Sequence, residues 1–175
     1  EVVLASGEVV QLGGKIRKDT TGYSLINIMI GSEGTLGIIT KITLRVILKP
    51  KYSTTLWIPF ESTEQPMLQI NKILNTKPTT LEFLEKDCIK AWELIKNKKH
   101  QFSEAASHLI IELTGNDKNQ IEKNCSYIAD TCVNNGALEV LVADTPALQD
   151  KIWGIRRNIS EALTFMGKKK TSHDI

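Results

Sequence analysis

From Thr54 onward the apolar residues of this chain change their period repeatedly, and that alternation limits the folds open to it. Thr54 to Phe60 reads as a strand, and Glu64 to Leu74 carries its apolar residues at helical spacing. Thr80 to Glu85 is strand-like. Asp87 to Lys96 follows as a helix, with Ile89, Trp92 and Ile95 along one stripe. His108 to Leu113 is a strand closed by Thr114-Gly115, and Asp117 to Val133 is a helix stopped by Asn134-Asn135-Gly136. Ala137 to Ala143 is a strand, and Thr145-Pro146 opens a long helix towards Met166. Proline suits a first helical turn because the N–H it lacks would have had no partner there. A chain built this way must form a sheet with helices packed on it. Alternation alone favours a parallel sheet with helices on its faces. A ferredoxin-like antiparallel sheet with helices on one side is the other solution, and periodicity does not separate the two.

The first fifty positions have a different texture. Val2 to Leu12 reads as a β-hairpin around Ser6-Gly7, and Ile26 to Ile30 is a short apolar run. Next comes the loop Gly31-Ser32-Glu33-Gly34-Thr35-Leu36-Gly37, then Ile38 to Leu48. There Ile42, Leu44 and Val46 alternate with Lys41, Thr43 and Arg45, the period of a half-buried strand. Lys49-Pro50-Lys51 punctuates this pattern, so the expected domains are residues 1–49 and 50–175.

Composition removes several function classes. With 41% hydrophobic and 24% charged residues, the chain has ordinary globular proportions, and a net charge of +2 gives no ground for a nucleic-acid partner. Lys168-Lys169-Lys170 reads as a solvated run beyond a helix C-terminus, where the helix dipole favours cations. Cys88, Cys125 and Cys132 form no CxxC pair. Cys125 and Cys132 are seven apart on one helix and read as core. His100, His108 and His173 are too scattered to draw a metal site. Glu1 leads straight into Val2-Val3-Leu4, and His173-Asp174-Ile175 stops without a terminating turn, so we expect a piece of a longer protein.

The glycines at 31, 34 and 37 are each three apart, which is neither GxGxxG nor a phosphate-binding P-loop. A strand-like segment follows them, so a pyrophosphate seated on a helix N-terminus is not expected. Such a loop either marks a bend or brings bare backbone N–H groups up to a flat or anionic ligand. Arg17-Lys18-Asp19-Thr20-Thr21-Gly22-Tyr23 and the string IGSEGTLGIITKITLR over residues 30–45 resemble the FAD-binding domain of the vanillyl-alcohol oxidase superfamily. The resemblance is to the branch of D-lactate dehydrogenases, glycolate oxidase flavin subunits and D-2-hydroxyglutarate dehydrogenases. It implies FAD as cofactor, with Glu33, Gly34, Thr35, Leu36, Gly37, Ile38 and Ile39 lining its site. Beyond Pro50, Thr80-Leu81-Glu82-Phe83 and Lys151-Ile152-Trp153-Gly154-Ile155-Arg156-Arg157 resemble the substrate cap of the same family. The implied fold is α+β: the end of a PCMH-type FAD-binding domain, then a ferredoxin-like cap with an antiparallel sheet and helices on one side.

Leu148, Ile152, Ile155, Ile159, Ala162 and Met166 form the apolar stripe of the last helix. Arg156 and Ser160 lie one turn apart beside it. A guanidinium there is either a solvated helix arginine or a bidentate grip for a carboxylate. The resemblance assigns Arg156 to the substrate carboxylate and Ser160 to a polar substrate contact. Asp174 matches the hydroxyglutarate enzymes, but Ser172 stands where they carry a lysine, which points to a monocarboxylate. The implied activity of the full-length protein is FAD-dependent oxidation of a small D-2-hydroxy acid, of D-lactate or glycolate type, to the 2-oxo acid. Its electron acceptor is unidentified, homo-oligomerisation stays open, and the expected location is cytoplasmic or membrane-peripheral. No catalytic residue or metal ligand is expected in this piece, because the family's histidine-rich segment lies further on. The piece alone is expected neither to turn over nor to hold FAD tightly. Two alternatives stand beside this reading: a non-catalytic binding or assembly module, and a related flavoenzyme acting on another substrate class.

Overall fold

The computed structural model describes residues 1–165 and 167, apart from 17, 19 and 21. Arg17, Asp19 and Thr21 of the glycine-loop run-in lie outside it, as do Met166, the lysines at 168–170, Ser172, His173 and Asp174. The chain divides into two units, Glu1–Leu48 and Lys49–Ile175.

In the second unit, β4 (Tyr52–Phe60), β5 (Thr80–Glu85), β6 (Ser107–Gly115) and β7 (Leu141–Ala143) form a sheet in the order β5-β6-β4-β7. Every pairing is antiparallel. The path from β4 to β5 runs through α2 (Glu64–Met67) and α3 (Ile70–Leu74) and passes over β6. The path from β6 to β7 runs through α5 (Lys118–Val133) and passes over β4. Two interleaved β-α-β units of this kind are the ferredoxin-like arrangement. The single helix expected over residues 64–74 is two short helices, α2 and α3, with Leu68 and Gln69 between them.

The expectation of helices on one side needs correction: they cover both faces. Leu56, Ile58 and Phe60 of β4 pack with Ile73 of α3 and Ile121, Ile128 and Cys132 of α5. Trp57 and Ile110, on the opposite face, pack with Ile89 of α4 (Lys86–Lys96) and Ile155 and Ile159 of α6 (Pro146–Phe165). The reason lies in β4 and β6, which carry large apolar residues at successive positions rather than alternating ones. A sheet with one wet face would leave Trp57 and Ile110 in water, at roughly 1.5–3 kcal/mol for each large side chain. Cys125 and Cys132 both belong to the core on the α5 side, Cys132 fully buried, and burial pushes the Cys132 thiol up to about 11. Asp117 caps α5, accepting hydrogen bonds from the N–H groups of Asn119 and Gln120.

His108 sits fully buried on β6, its Nδ1 accepting from Trp57 Nε1 at 3.1 Å. That bond leaves the proton of the neutral ring on Nε2, which has no hydrogen-bond partner among the described residues. Burial, and then the neighbouring His100, hold the His108 pKa down to about 4. An unfolded histidine takes up its proton near pH 6.5, so between pH 6.5 and 4 the unfolded chain binds the extra proton and the folded chain does not. Stability is therefore complete above pH 6.5 and falls as pH drops towards 4, by roughly 3 kcal/mol for this group. We predict that denaturation measured at pH 7 and pH 4.5 shows this loss, and that His108→Asn largely removes the contribution.

The first unit is smaller. Strands β1 (Val2–Leu4), β2 (Val9–Val10) and β3 (Gly37–Ile39) form an antiparallel sheet in the order β2-β1-β3. The expected hairpin forms, with Gly7 at φ 83° and its N–H donating to the Leu4 carbonyl. The apolar run at 26–30 falls largely within a short helix, α1 (Leu25–Met29). The strand expected over Ile38 to Leu48 is shorter, since only Gly37–Ile39 pairs. Ile39 pairs with Val2, and the Thr40 and Lys41 N–H groups donate to the Glu1 carbonyl. Ile42, Leu44 and Val46 keep their alternation but have no neighbouring strand among the described residues. A period of two reports which face a residue would take, not whether a partner is there to pair with.

Candidate functional site

The loop from Gly31 to Gly37 is a tight turn with three residues in the left-handed region: Gly31 at φ 81°, Glu33 at φ 49° and Gly34 at φ 80°. The Ser32 carbonyl accepts from both the Thr35 N–H at 2.9 Å and the Thr35 hydroxyl at 2.6 Å, which closes the turn. A Cβ at Gly31 or Gly34 would meet nothing within 4 Å, so the backbone there faces open space. Gly37 differs. A Cβ on it would lie 2.7 Å from Val2 Cγ1 and 2.9 Å from the Val3 carbonyl oxygen. Two of these glycines thus serve the bend, and the third serves the close approach of β3 to β1. Leu36, Ile38 and Ile39 present exposed apolar surface beside the turn.

In the second unit, α6 is pinned to the sheet by side chains from three successive turns. Gln149 Nε2 donates to the Ser53 carbonyl at 2.8 Å, and Trp153 Nε1 donates to Thr55 Oγ1 at 3.2 Å. Arg156 Nε donates to Glu82 Oε2 of β5 at 2.9 Å. The apolar stripe of Ile152, Ile155, Ile159 and Ala162 runs beside these anchors, and its last three members are buried. Arg156 is thus paired with Glu82 of the sheet; its side chain is 39% exposed and that of Glu82 29%. Cys88 of α4 lies in the same electrostatic neighbourhood: burial raises its pKa, and the charge of Arg156 works against that rise.

Ser160 follows Arg156 by one turn and is solvent-exposed. It lines an open concavity with Arg157, Glu161, Thr164 and Phe165, to which Arg156 does not contribute. A separate cleft of about 620 Å³ lies towards the start of α6, walled by Trp57, Trp92, His100 and Ile155 with Lys98 and Lys99 at its lining. Neither Trp153 nor Arg156 lines it, so it is distinct from the surroundings of the arginine. The partners that fix Arg156 escaped the sequence reading. Gln149, Trp153 and Arg156 do share one helix face at i, i+4 and i+7, a pattern that was open to view. That Glu82 receives Arg156 needed the strand order.

The sequence profile of the FAD linked oxidases, C-terminal domain, matches residues 49–175. The chain belongs to this family. Curated relatives match this FAD-linked oxidase chain over both units. A D-lactate dehydrogenase of Anaerostipes hadrus is 39% identical over 169 residues, 93% of this chain and 36% of the relative. Glycolate oxidase subunit GlcD of Bacillus subtilis is 33% identical over 165 residues, 93% of this chain and 35% of the relative. A mitochondrial D-2-hydroxyglutarate dehydrogenase of Danio rerio is 30% identical over 171 residues, covering 95% of this chain and 32% of the relative. The FAD-linked oxidase chain therefore spans about a third of the length of these relatives. Among solved structures, 4-ethylphenol oxidase from Gulosibacter chungangensis aligns with TM-score 0.65 at 16% identity, over 91% of this chain and 37% of that one. p-Cresol methylhydroxylase aligns with TM-score 0.60 at 19% identity, over 85% of this chain and 35% of that one. Those likenesses establish a shared fold.

Gly37→Ala tests the close approach in the glycine loop. The added methyl group meets backbone, which cannot swing aside, so we expect the β1–β3 sheet to lose about 1–3 kcal/mol. Amide hydrogen exchange should speed up in β1 and β3 and stay unchanged in β4 and β6; unchanged exchange throughout would show that the contact relaxes freely.

Proposed function

We propose that this chain is part of an FAD-dependent oxidoreductase that oxidises a small D-2-hydroxy acid, of D-lactate or glycolate type, to the 2-oxo acid. The carrying observation is Arg156, anchored by Glu82 over the sheet on a helix that Trp153 also ties down. The similarity to relatives named for D-lactate, glycolate and D-2-hydroxyglutarate supports the same substrate class. An arginine in a fixed rotamer grips a carboxylate through two parallel charge-assisted hydrogen bonds and so orients the α-carbon that follows it.

The glycine loop fits FAD. Its backbone bends at Gly31, Glu33 and Gly34 with open space over both glycines, and apolar Leu36, Ile38 and Ile39 offer surface to a flat ring. Glu33, Gly34, Thr35, Leu36, Gly37, Ile38 and Ile39 are the residues that would line the cofactor. When bound, FAD supplies the acceptor for the hydride of the α-carbon. Arg156 holds the carboxylate of the acid, and Ser160, one turn on beside a neighbouring concavity, is the polar substrate contact that the family resemblance implies. The monocarboxylate preference rests on Ser172 at a lysine position of the hydroxyglutarate enzymes.

The test uses the full-length protein. A flavin band bleached anaerobically by D-lactate or glycolate is the expected result. Arg156→Ala should lower kcat/KM for that acid by about a hundredfold or more, since a charged grip on a carboxylate is lost. A flavin-containing protein whose kcat/KM survives Arg156→Ala would instead be a superfamily enzyme for another substrate class. A colourless protein would favour a binding or assembly module.

A further inference from the structure

Among the described residues, Arg156 gives one donor to the protein. Its Nε–H is taken by Glu82 Oε2 at 2.9 Å, and neither terminal nitrogen makes a hydrogen bond to another described residue. A guanidinium has two edges that can meet a carboxylate side by side, one formed by Nε and a terminal nitrogen, the other by the two terminal nitrogens. Glu82 occupies Nε, so the end-on edge is the one left for a ligand. Glu82 itself is fixed by the sheet. It sits on β5 opposite Ile110 of β6, on the face that carries Trp57 and Leu84, so its backbone cannot follow the arginine. The arginine comes from α6, whose position Trp153 and Gln149 settle independently.

We infer that Glu82 is a positioning residue: it locks the long, half-exposed Arg156 side chain through Nε and presents the terminal edge to the substrate carboxylate. This rests on the reading of Arg156 as the carboxylate grip. Without the lock, the arginine retains several rotamers that binding must then freeze, and the cost falls on substrate affinity. Glutamine in place of Glu82 keeps a side-chain oxygen at the same reach and can still accept the Nε–H, whereas alanine cannot. The ion pair is partly solvated, so its loss should leave the fold intact.

The experiment compares Glu82→Ala, Glu82→Gln and Arg156→Ala in the full-length protein, with D-lactate as substrate, steady-state kinetics and thermal melting as readouts. Glu82→Ala should raise KM by about tenfold with a smaller change in kcat and an unchanged melting temperature. Glu82→Gln should recover most of that loss. If Glu82→Ala matches the unmodified protein while Arg156→Ala is crippled, the grip stands and the positioning role is overturned. If Glu82→Gln is as impaired as Glu82→Ala with both still folded, charge rather than hydrogen bonding is what matters, which also overturns the role. If Arg156→Ala is itself harmless, the underlying reading of the arginine fails, and the two failures are told apart.

Discussion

The pairing of β4 with β6 is the constraint on which the second unit depends. Tyr52 to Phe60 lies antiparallel against Gly115 to Ser107 along the whole of both strands. This central pair is apolar on both faces, so neither face can be left to water. One face is covered by the two crossover segments, α2-α3 and α5, and the other by α4 and α6. Thr55 shows how far the burial extends. It is a fully buried polar residue of β4, and its hydroxyl accepts the Trp153 N–H of α6. Helix α6 is thereby bound to the central strand by a directional bond as well as by apolar contact.

That docking joins the fold to the functional reading. Apolar packing of α6 on the sheet is reinforced by directional bonds. The bonds from Gln149 and Trp153 fix its rotation and its position along the axis, and Glu82 then receives the tip of Arg156. The outcome is an arginine whose base is set by one element and whose tip is set by another, β5. His108 illustrates the opposite use of polarity on the same face. There a polar ring is taken into the core in its neutral form, with Trp57 donating to it and no charged partner among the described residues, which makes it a liability in acid.

Much of this was legible in the sequence. The strand and helix order of the second unit, the hairpin around Gly7 and the burial of Cys132 all follow from local periodicity and turn chemistry, because each is decided by residues close together along the chain. Two local readings differ from the structure. The Ile38 to Leu48 pattern implies a long strand, but among the described residues only Gly37–Ile39 pairs with a neighbour. The segment at 64–74 has helical spacing throughout, yet it is two short helices separated at Leu68 and Gln69. The candidate site divided the same way: Arg156 was visible on its helix, but Glu82, seventy-four residues earlier, could be joined to it only in space.

The sequence by itself determined the order of strands and helices in the second unit, where the chain changes texture near Pro50, and which family the glycine loop and the Lys151–Arg157 segment resemble. These depend on short-range spacing and on strings of adjacent residues, which no folding is needed to read. The antiparallel sheet is the one the resemblance implies; tertiary structure alone decided its strand order β5-β6-β4-β7, that helices cover both its faces, and that Arg156 meets Glu82. Strand order and face coverage are settled by which apolar surfaces can be buried together, a property of the whole domain. No window of sequence contains it.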